Sequence, residues 1–133
     1  MRVTPDTNLL VRIIVRDDDK QARTATKLLE SAETVALSIP CLCELVWVLG
    51  RGYGYTRQDI LSALDVLLAA ANVVVDRPAV EAGLAVLRDG GDFADGLIAH
   101  EGSWLGGDTF VSFDKKAVAV LTKQGRNARL VGH

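Results

Sequence analysis

The sequence predicts an α/β fold with a central parallel sheet of short strands flanked by helices. Short β-branched runs alternate with longer segments whose apolar residues recur at helical spacing. No Ser/Pro/Gly-rich linker, repeat or low-complexity tract interrupts this alternation. The length of 133 residues suits one domain and is too small for two independent cores. We therefore predict a single domain over residues 1–133, with about five strands and about seven helices.

The predicted strands are brief and alternate with the helices, as in a parallel sheet. In chain order they are Arg2–Thr4, Thr34–Ser38, Asn72–Val75, Thr109–Ser112 and Arg129–Val131. The predicted helices are Leu9–Arg16, Lys20–Ser31, Pro40–Gly50, Thr56–Ala70, Pro78–Arg88, Phe93–Leu105 and Lys115–Gln124. Gly50, Gly52 and Gly54 mark the turn between the third and fourth helices, and Gly106 and Gly107 end the sixth.

Composition excludes binding of a polyanion by bulk positive charge. The chain has fifteen Lys and Arg residues and seventeen Asp and Glu residues, so the formal net charge is −2 and the pI is near 5.6. Local basic residues or bound cations must attract any nucleic acid. Apolar residues make up 49% of the chain and aromatic residues only 5%, which predicts an ordered core of Val, Leu, Ile and Ala.

The cysteines and the apolar runs predict a soluble cytoplasmic protein with no membrane association. Cys41 and Cys43 lie two residues apart in an apolar stretch, where they cannot form a long-range disulfide or a zinc cluster by themselves. The N-terminus shows no export signal, and the apolar runs 45–49 and 66–75 are too short or too interrupted to span a membrane.

Acidic residues follow two of the predicted strands and precede helices. Asp6 follows the first strand and Asp114 the fourth. Ligands of open parallel sheets bind beyond the carboxyl ends of the strands, so both acids are candidates for a site. Each would equally serve as a helix N-cap. Asp76 also ends a strand, but capping the helix that opens at Pro78 explains it fully.

Glu44 lies in a predicted helix that is apolar all round, Cys-Leu-Cys-Glu-Leu-Val-Trp-Val-Leu. Such a helix is expected to be buried. A buried carboxylate needs a cation, a proton or a metal ion beside it. The nearest cation in sequence, Arg51, is almost two turns away, so Glu44 is a candidate metal ligand, with pairing to a distant Arg as the structural alternative.

Asp92 and Asp95 lie three residues apart at the start of the sixth helix, on one face of its positive end. Capping explains Asp92 equally well. A pocket that contained both acids with Asp6, Glu44 and Asp114 would need a divalent cation to offset their repulsion. All-oxygen ligands suit Mg²⁺ or Mn²⁺, and the absence of nearby His or Cys argues against zinc.

Other residues carry weaker signals. His100 is expected to be a partly buried side chain rather than a base. Trp47 and Trp104 are expected to pack in the core rather than to stack on bases. Five basic residues are candidates for holding phosphates, although exposed basic side chains usually serve solubility. They are Arg12, Arg16, Arg51, Lys115 and Lys116.

Four segments of the sequence resemble, in order, the signature segments of PIN-domain ribonucleases. They are Pro-Asp-Thr-Asn-Leu-Leu-Val-Arg at 5–12, Cys-Glu-Leu-Val-Trp-Val-Leu at 43–49, Asp-Phe-Ala-Asp-Gly-Leu-Ile-Ala at 92–99 and Phe-Val-Ser-Phe-Asp-Lys-Lys-Ala at 110–117. The combination spans essentially the whole chain and is most similar to the VapC-like toxins of toxin-antitoxin pairs. Pro5 departs from the family, which more often has another apolar strand residue there. Proline is tolerated at a strand end.

The resemblance implies a PIN-like fold and a metal-dependent endoribonuclease. Asp6, Glu44, Asp95 and Asp114 match the acidic quartet that holds Mg²⁺ or Mn²⁺, and Asp92 is an additional acid. Thr7, Asn8 and Ser112 match the polar positions that support the quartet. Of the basic residues named above, Arg12, Lys115 and Lys116 are the weak candidates for contacts with the RNA substrate. The resemblance further implies a homodimer, and a cognate antitoxin whose tail covers the acidic pocket.

Two alternatives come from other classes of function. A Mg²⁺-dependent phosphatase would use Asp6 as an aspartyl nucleophile. Such enzymes usually place a second Asp two residues later, where this chain has Asn8. A non-catalytic interaction domain would use its carboxylates only as helix caps, with the apolar segment around residues 60–71 as an interface.

Overall fold

The computed structural model describes residues 1–132 and divides the chain into two compact units. The N-terminal unit comprises Met1–Asp76, and the C-terminal unit begins at Arg77. Each unit contains its own helices and its own parallel sheet.

The N-terminal unit has three strands in the order β1-β2-β3, all parallel. Arg2 is in register with Thr34, and Val35 with Val73. Its elements are β1 (Arg2–Val3), α1 (Thr7–Val15), α2 (Asp19–Ser31), β2 (Thr34–Ala36), α3 (Ile39–Trp47), a π-helical segment (Val48–Gly52), α4 (Arg57–Ala69) and β3 (Val73–Val74).

The C-terminal unit has two parallel strands, with Phe110 in register with Ala128. Its elements are α5 (Arg77–Arg88), α6 (Phe93–Trp104), β4 (Phe110–Ser112), α7 (Lys115–Lys123) and β5 (Ala128–Leu130). Helices α5 and α6 pack on each other, and α7 packs on both strands.

The α/β class, the seven α-helices and the five short parallel strands are confirmed for residues 1–132. The backbone hydrogen bonds group these strands into one three-stranded and one two-stranded sheet. The third helix is shorter than predicted, since its regular α-helical part ends at Trp47 and the backbone widens into the π-helical segment. Over the same residues no helix is long and apolar enough to cross a membrane.

The core is aliphatic, as the composition predicts. Fully buried side chains include Leu10, Leu42, Leu45, Leu49 and Leu64 in the N-terminal unit. Phe93, Leu84, Leu97, Leu121 and Val80 are their counterparts in the C-terminal unit.

Both tryptophans lie outside this core, and the expectation that they pack in it was wrong. Trp47 is 64% exposed and Trp104 is 80% exposed. On α3 the buried positions are Cys41, Leu42, Leu45 and Val46, and Trp47 lies on the opposite, exposed face of the helix.

Asn72 connects α2 to the sheet of the N-terminal unit. Its side-chain amide donates hydrogen bonds of 2.9 Å to the carbonyl oxygens of Leu29 and Ala32, at the end of α2. Its own carbonyl accepts a 2.8 Å bond from the N–H of Val35 in β2. One side chain therefore bonds to two carbonyl groups at the end of the helix, of which that of Leu29 also accepts a 3.3 Å bond from the N–H of Ala32.

Candidate functional site

Asp6 directly precedes α1 in the N-terminal unit and acts as its N-cap. Its Oδ1 accepts a 2.9 Å hydrogen bond from the N–H of Leu9. Within residues 1–132 its Oδ2 accepts no hydrogen bond, and the side chain is exposed. Asp6 therefore combines a capping role with one carboxylate oxygen that remains open to a ligand.

A cleft of about 600 Å³ lies beside Asp6. Glu44, on α3, forms part of the same wall. The full lining is Thr4, Pro5, Asp6, Thr7, Asn8, Ser38, Pro40, Cys41, Glu44 and Val48. The structure thus brings together Asp6 and Glu44 with the predicted supporting residues Thr7 and Asn8.

Glu44 is exposed, which corrects the expectation of a buried carboxylate. Leu42, Leu45 and Val46 form the buried side of α3. Glu44 lies on the other side, on the same exposed face as Trp47. Within the described chain its carboxylate makes no hydrogen bond or ion pair, so it has no structural partner to lose.

Thr7 and Cys41 form the buried floor of this cleft. The Thr7 hydroxyl donates to the Cys41 Sγ, and the thiol donates to the carbonyl oxygen of Pro5, both at 3.7 Å. Burial raises the pKa of the Cys41 thiol, and the negative charges of Glu44 and Asp6 raise it further, while the Thr7 hydrogen bond acts in the opposite direction. The thiol therefore stays protonated, and both carboxylates are close enough to impose their charge on the cleft.

In the C-terminal unit, Asp92 and Asp95 begin α6. Asp92 occupies the N-cap position but its side chain makes no capping hydrogen bond, so capping does not account for it. Asp95 is half-buried in the first turn. In residues 1–132 neither carboxylate accepts a hydrogen bond or forms an ion pair.

Asp114 follows β4 and caps α7, which is the structural role that the sequence also allowed. Its Oδ1 accepts hydrogen bonds from the N–H groups of Lys116 at 2.9 Å and Ala117 at 3.2 Å. The Ser112 hydroxyl accepts a 2.9 Å bond from the N–H of Asp114. Ser112 therefore supports the local backbone from which the Asp114 carboxylate projects.

The acids of the C-terminal unit repel one another. The pKa of Asp95 is raised, first by burial and then by the charges of Asp92 and Asp114. A carboxylate that is half-buried, lacks a hydrogen bond and faces two like charges is unfavourable unless a cation or a proton neutralises it.

Close packing of α5 against α6 holds Asp95 in place. A Cβ atom on Gly96, the next residue, would lie 2.8 Å from the Cα of Gly83. The ring of buried Phe93 lies 2.9 Å from where a Cβ of Gly83 would be. Glycine at both positions therefore lets the first turn of α6 approach α5 closely, and this fixes the position of Asp95.

The three basic residues predicted to contact RNA have different environments. Arg12 donates to Asp17 at 3.1 Å and to the Tyr53 hydroxyl at 3.4 Å. These two partners raise the pKa of its guanidinium, which remains charged and held in place. Lys115 and Lys116 are exposed in the first turn of α7.

Sequence reasoning missed the role of Tyr53. Its hydroxyl donates to Asp17 at 3.3 Å and accepts from Arg12, so it bridges an ion pair on the surface. Its position between Gly52 and Gly54 resembles an ordinary turn and gives no signal of this contact.

The carboxylates have the chemistry that a hard divalent cation requires. They are exposed or half-buried oxygen donors, and each has at least one oxygen without a hydrogen-bond partner in residues 1–132. Within residues 1–132, no group of three or more His, Cys, Asp or Glu side chains is arranged so that it could hold a metal ion. The residues nevertheless fit Mg²⁺ or Mn²⁺ in donor type and charge.

Comparison with known families identifies the class. The profile of the PIN domain family matches residues 3–120, and the chain therefore belongs to the PIN domain family. PIN domains are generally nucleases and typically use divalent metal ions such as Mg²⁺. A search of curated proteins found no match.

Proposed function

We propose that this protein is a Mg²⁺- or Mn²⁺-dependent endoribonuclease that hydrolyses RNA phosphodiester bonds. The observation that supports this most directly is Asp95. Its carboxylate is half-buried and without a hydrogen bond in residues 1–132, and its pKa is raised by burial and by Asp92 and Asp114. A structural role would provide it with a partner, whereas a cation-binding role explains the partnerless carboxylate.

The proposal assigns a role to each predicted acid. Asp6, Asp95 and Asp114 are direct ligands, Glu44 acts partly through bound water, and Asp92 adds negative charge. When bound, a divalent cation lowers the pKa of water and offsets the charge that develops on phosphate oxygens. Thr7, Asn8 and Ser112 support the acids, while Arg12, Lys115 and Lys116 provide weaker contacts to phosphates.

The expected substrate is single-stranded or loop RNA. The protein has no excess of positive charge with which to hold a stiff duplex along its length. A splayed single strand can place one phosphate in a narrow cleft while its bases contact neighbouring surfaces. The cleft beside Asp6 is open and of suitable size for a single nucleotide unit.

The test is calorimetric Mn²⁺ binding and cleavage of total RNA, each measured for the wild type and Asp95→Asn. We expect Mn²⁺ binding and EDTA-sensitive cleavage in the wild type and neither in the variant. Glu101→Gln is a matched control, because Glu101 is an exposed acid on the same helix. If the folded wild type neither binds Mn²⁺ nor cleaves RNA, the proposal is contradicted, and the carboxylates have only a structural role. Release of phosphate from small phosphomonoesters without RNA cleavage would favour the phosphatase alternative.

We further propose that the protein is a VapC-like toxin that blocks translation and growth in the cytoplasm until a cognate antitoxin covers its acidic cleft. An apolar groove of about 560 Å³ offers a surface for a protein partner or for a homodimer. It includes Ile14, Leu29 and Val66, and Val66 is 77% exposed.

Induced expression of the protein should arrest growth, and co-expression of a small protein encoded beside the gene should restore growth. Growth unaffected by the active nuclease would contradict the toxin role.

A further inference from the structure

Four residues form an exposed stripe along α3 and the π-helical segment that follows it. They are spaced by four, three and four residues, which places them on one helical face. All four are exposed, while Leu42, Leu45 and Leu49 between them are buried. The residues of this α3 stripe are Pro40, Glu44, Trp47 and Arg51.

The stripe begins inside the candidate site and leads out of it. Pro40 and Glu44 line the cleft beside Asp6, whereas Trp47 and Arg51 do not. Trp47 follows Glu44 by three residues, which corresponds to roughly 5–6 Å between Cβ atoms on a helix. An indole ring, 64% exposed, therefore stands about one helical turn from a candidate catalytic carboxylate.

Trp47 has no structural role that explains its position. It is outside the core, and its indole N–H has no hydrogen-bond partner in residues 1–132. Arg51, one turn further along the stripe, forms no ion pair over the same range. An unpaired guanidinium next to an exposed indole offers one contact for a phosphate and one for a base.

We infer that Trp47 is a stacking platform for a nucleobase of the bound single-stranded RNA, with Arg51 contacting a phosphate beside it. This inference rests on the proposed ribonuclease function. Base stacking on an exposed aromatic ring is a common and sequence-tolerant way of holding single strands. The stripe would then fix the strand one or two nucleotides away from the phosphate at the acidic cleft.

The composition of the stripe favours RNA over a protein partner. Trp47 is flanked on its own face by Glu44 and Arg51, so it stands among charges rather than in an apolar patch. Trp104 has a different setting, since it is followed by Leu105, which is 88% exposed, and then by two glycines. The chain thus provides a second exposed tryptophan that serves as a control.

Tryptophan fluorescence tests the inference with either indole alone. In the otherwise wild-type protein with Mn²⁺, titrated with an uncleavable single-stranded RNA analogue, Trp104→Phe leaves Trp47 as the single tryptophan and Trp47→Phe leaves Trp104. A single-stranded RNA oligonucleotide should quench the first protein and not the second. An oligonucleotide with abasic sites should bind without quenching Trp47.

Affinity and kinetics provide the second measurement. By fluorescence anisotropy with a labelled oligonucleotide, Trp47→Ala should weaken binding about tenfold, since stacking on one aromatic ring contributes about that much per base. Trp47→Phe should retain most of the affinity, and Trp104→Ala all of it. In the cleavage-competent enzyme, Trp47→Ala should raise KM and leave kcat nearly unchanged.

Several results would overturn the inference. RNA that binds without quenching Trp47, or an unchanged affinity of Trp47→Ala, would exclude stacking while leaving the nuclease proposal intact. Sedimentation showing that Trp47→Ala dissociates a dimer, with RNA affinity unchanged, would assign the indole to a protein interface. Wild-type protein that neither binds nor cleaves RNA would remove the proposed function and this inference together.

Discussion

The two units of the molecule use their acidic residues in parallel ways but under different electrostatic conditions. Each has a candidate site acid that caps a helix, Asp6 in the N-terminal unit and Asp114 in the C-terminal unit. Among the candidate site acids, each unit also has one within a helix that has no hydrogen-bond partner in residues 1–132, Glu44 in α3 and Asp95 in α6. The capping acids accept hydrogen bonds from the first turn of their helices, whereas the partnerless acids make no hydrogen bond or ion pair that would stabilise the fold.

The difference lies in what surrounds the partnerless acid. Glu44 is exposed, and water screens its charge. Asp95 is half-buried and its pKa is raised by two neighbouring carboxylates. Under the proposed function, substitutions in the C-terminal unit should therefore have the largest consequences for metal binding.

Replacing Asp95 should produce the largest effect. Asp95→Asn should reduce RNA cleavage on the order of 10³-fold, because loss of a metal ligand costs several kcal/mol of transition-state stabilisation. Glu44→Gln should cost less, since its proposed role is partly through water. Initial rates at saturating Mn²⁺ check this order. A larger loss of RNA cleavage in Glu44→Gln than in Asp95→Asn would show that the acid of the N-terminal unit matters more, which contradicts this comparison.

Disturbing the packing that positions Asp95 should come next. Gly96→Ala should lower the free energy of unfolding by about 1–3 kcal/mol, because the new methyl group meets the backbone of α5. Gly102→Ala is the matched control on the same helix, where an added Cβ has no neighbour within 4 Å. Urea unfolding measures both variants. Equal free energies of unfolding for the two variants would show that α5 and α6 can move apart to accommodate the methyl group without loss of stability.

The capping acids should separate folding from function. Asp114→Ala should lose about 1 kcal/mol of stability, whereas Asp114→Asn should keep most of it because Asn is also a good N-cap. Both substitutions should impair cleavage, and the same pair at Asp6 should behave alike. Thermal or urea unfolding measures the stability of each variant, and an RNA cleavage assay measures its activity. An Ala variant as stable as its Asn counterpart would mean that the cap bonds contribute little.

The smallest expected effect is on the pH dependence of stability. The pKa of Asp95 is raised above its usual value of 3.8, so its contribution to stability is present below that value. It is lost as pH rises through the higher pKa of the folded protein. In EDTA the wild type should therefore lose stability relative to Asp95→Asn as pH rises from about 3.8. Parallel stability curves for the two proteins would contradict this.

Much of the fold is predictable from the sequence because its signals are local. The helices occur within two or three residues of the predicted positions, apart from the third, which becomes π-helical at Val48. Asp6 and Asp114 cap helices as strand-end acids were expected to do. These features depend on neighbouring residues and on the alternation of strand and helix.

The predictions that were wrong concern which way a side chain faces. Counting Trp47 as apolar made α3 look buried all round, although its stripe is exposed and Glu44 lies on it. Asp92 looked like a cap, but the N-cap position does not ensure that the side chain turns back to the helix. Such orientations depend on packing between distant segments, which one sequence does not display.

Asn72 is a position at which deamidation would damage the N-terminal unit. Its amide donates both of its hydrogens to carbonyl oxygens of α2 and the residue after it, a task that needs two donors on one small group. Hydrolysis of that amide to a carboxylate would leave an acceptor facing two acceptors, with a negative charge added. Deamidation of Asn72 would then replace two hydrogen bonds by electrostatic repulsion between the new carboxylate and the two carbonyl oxygens. We therefore expect the N-terminal unit to become less stable when this one amide is hydrolysed.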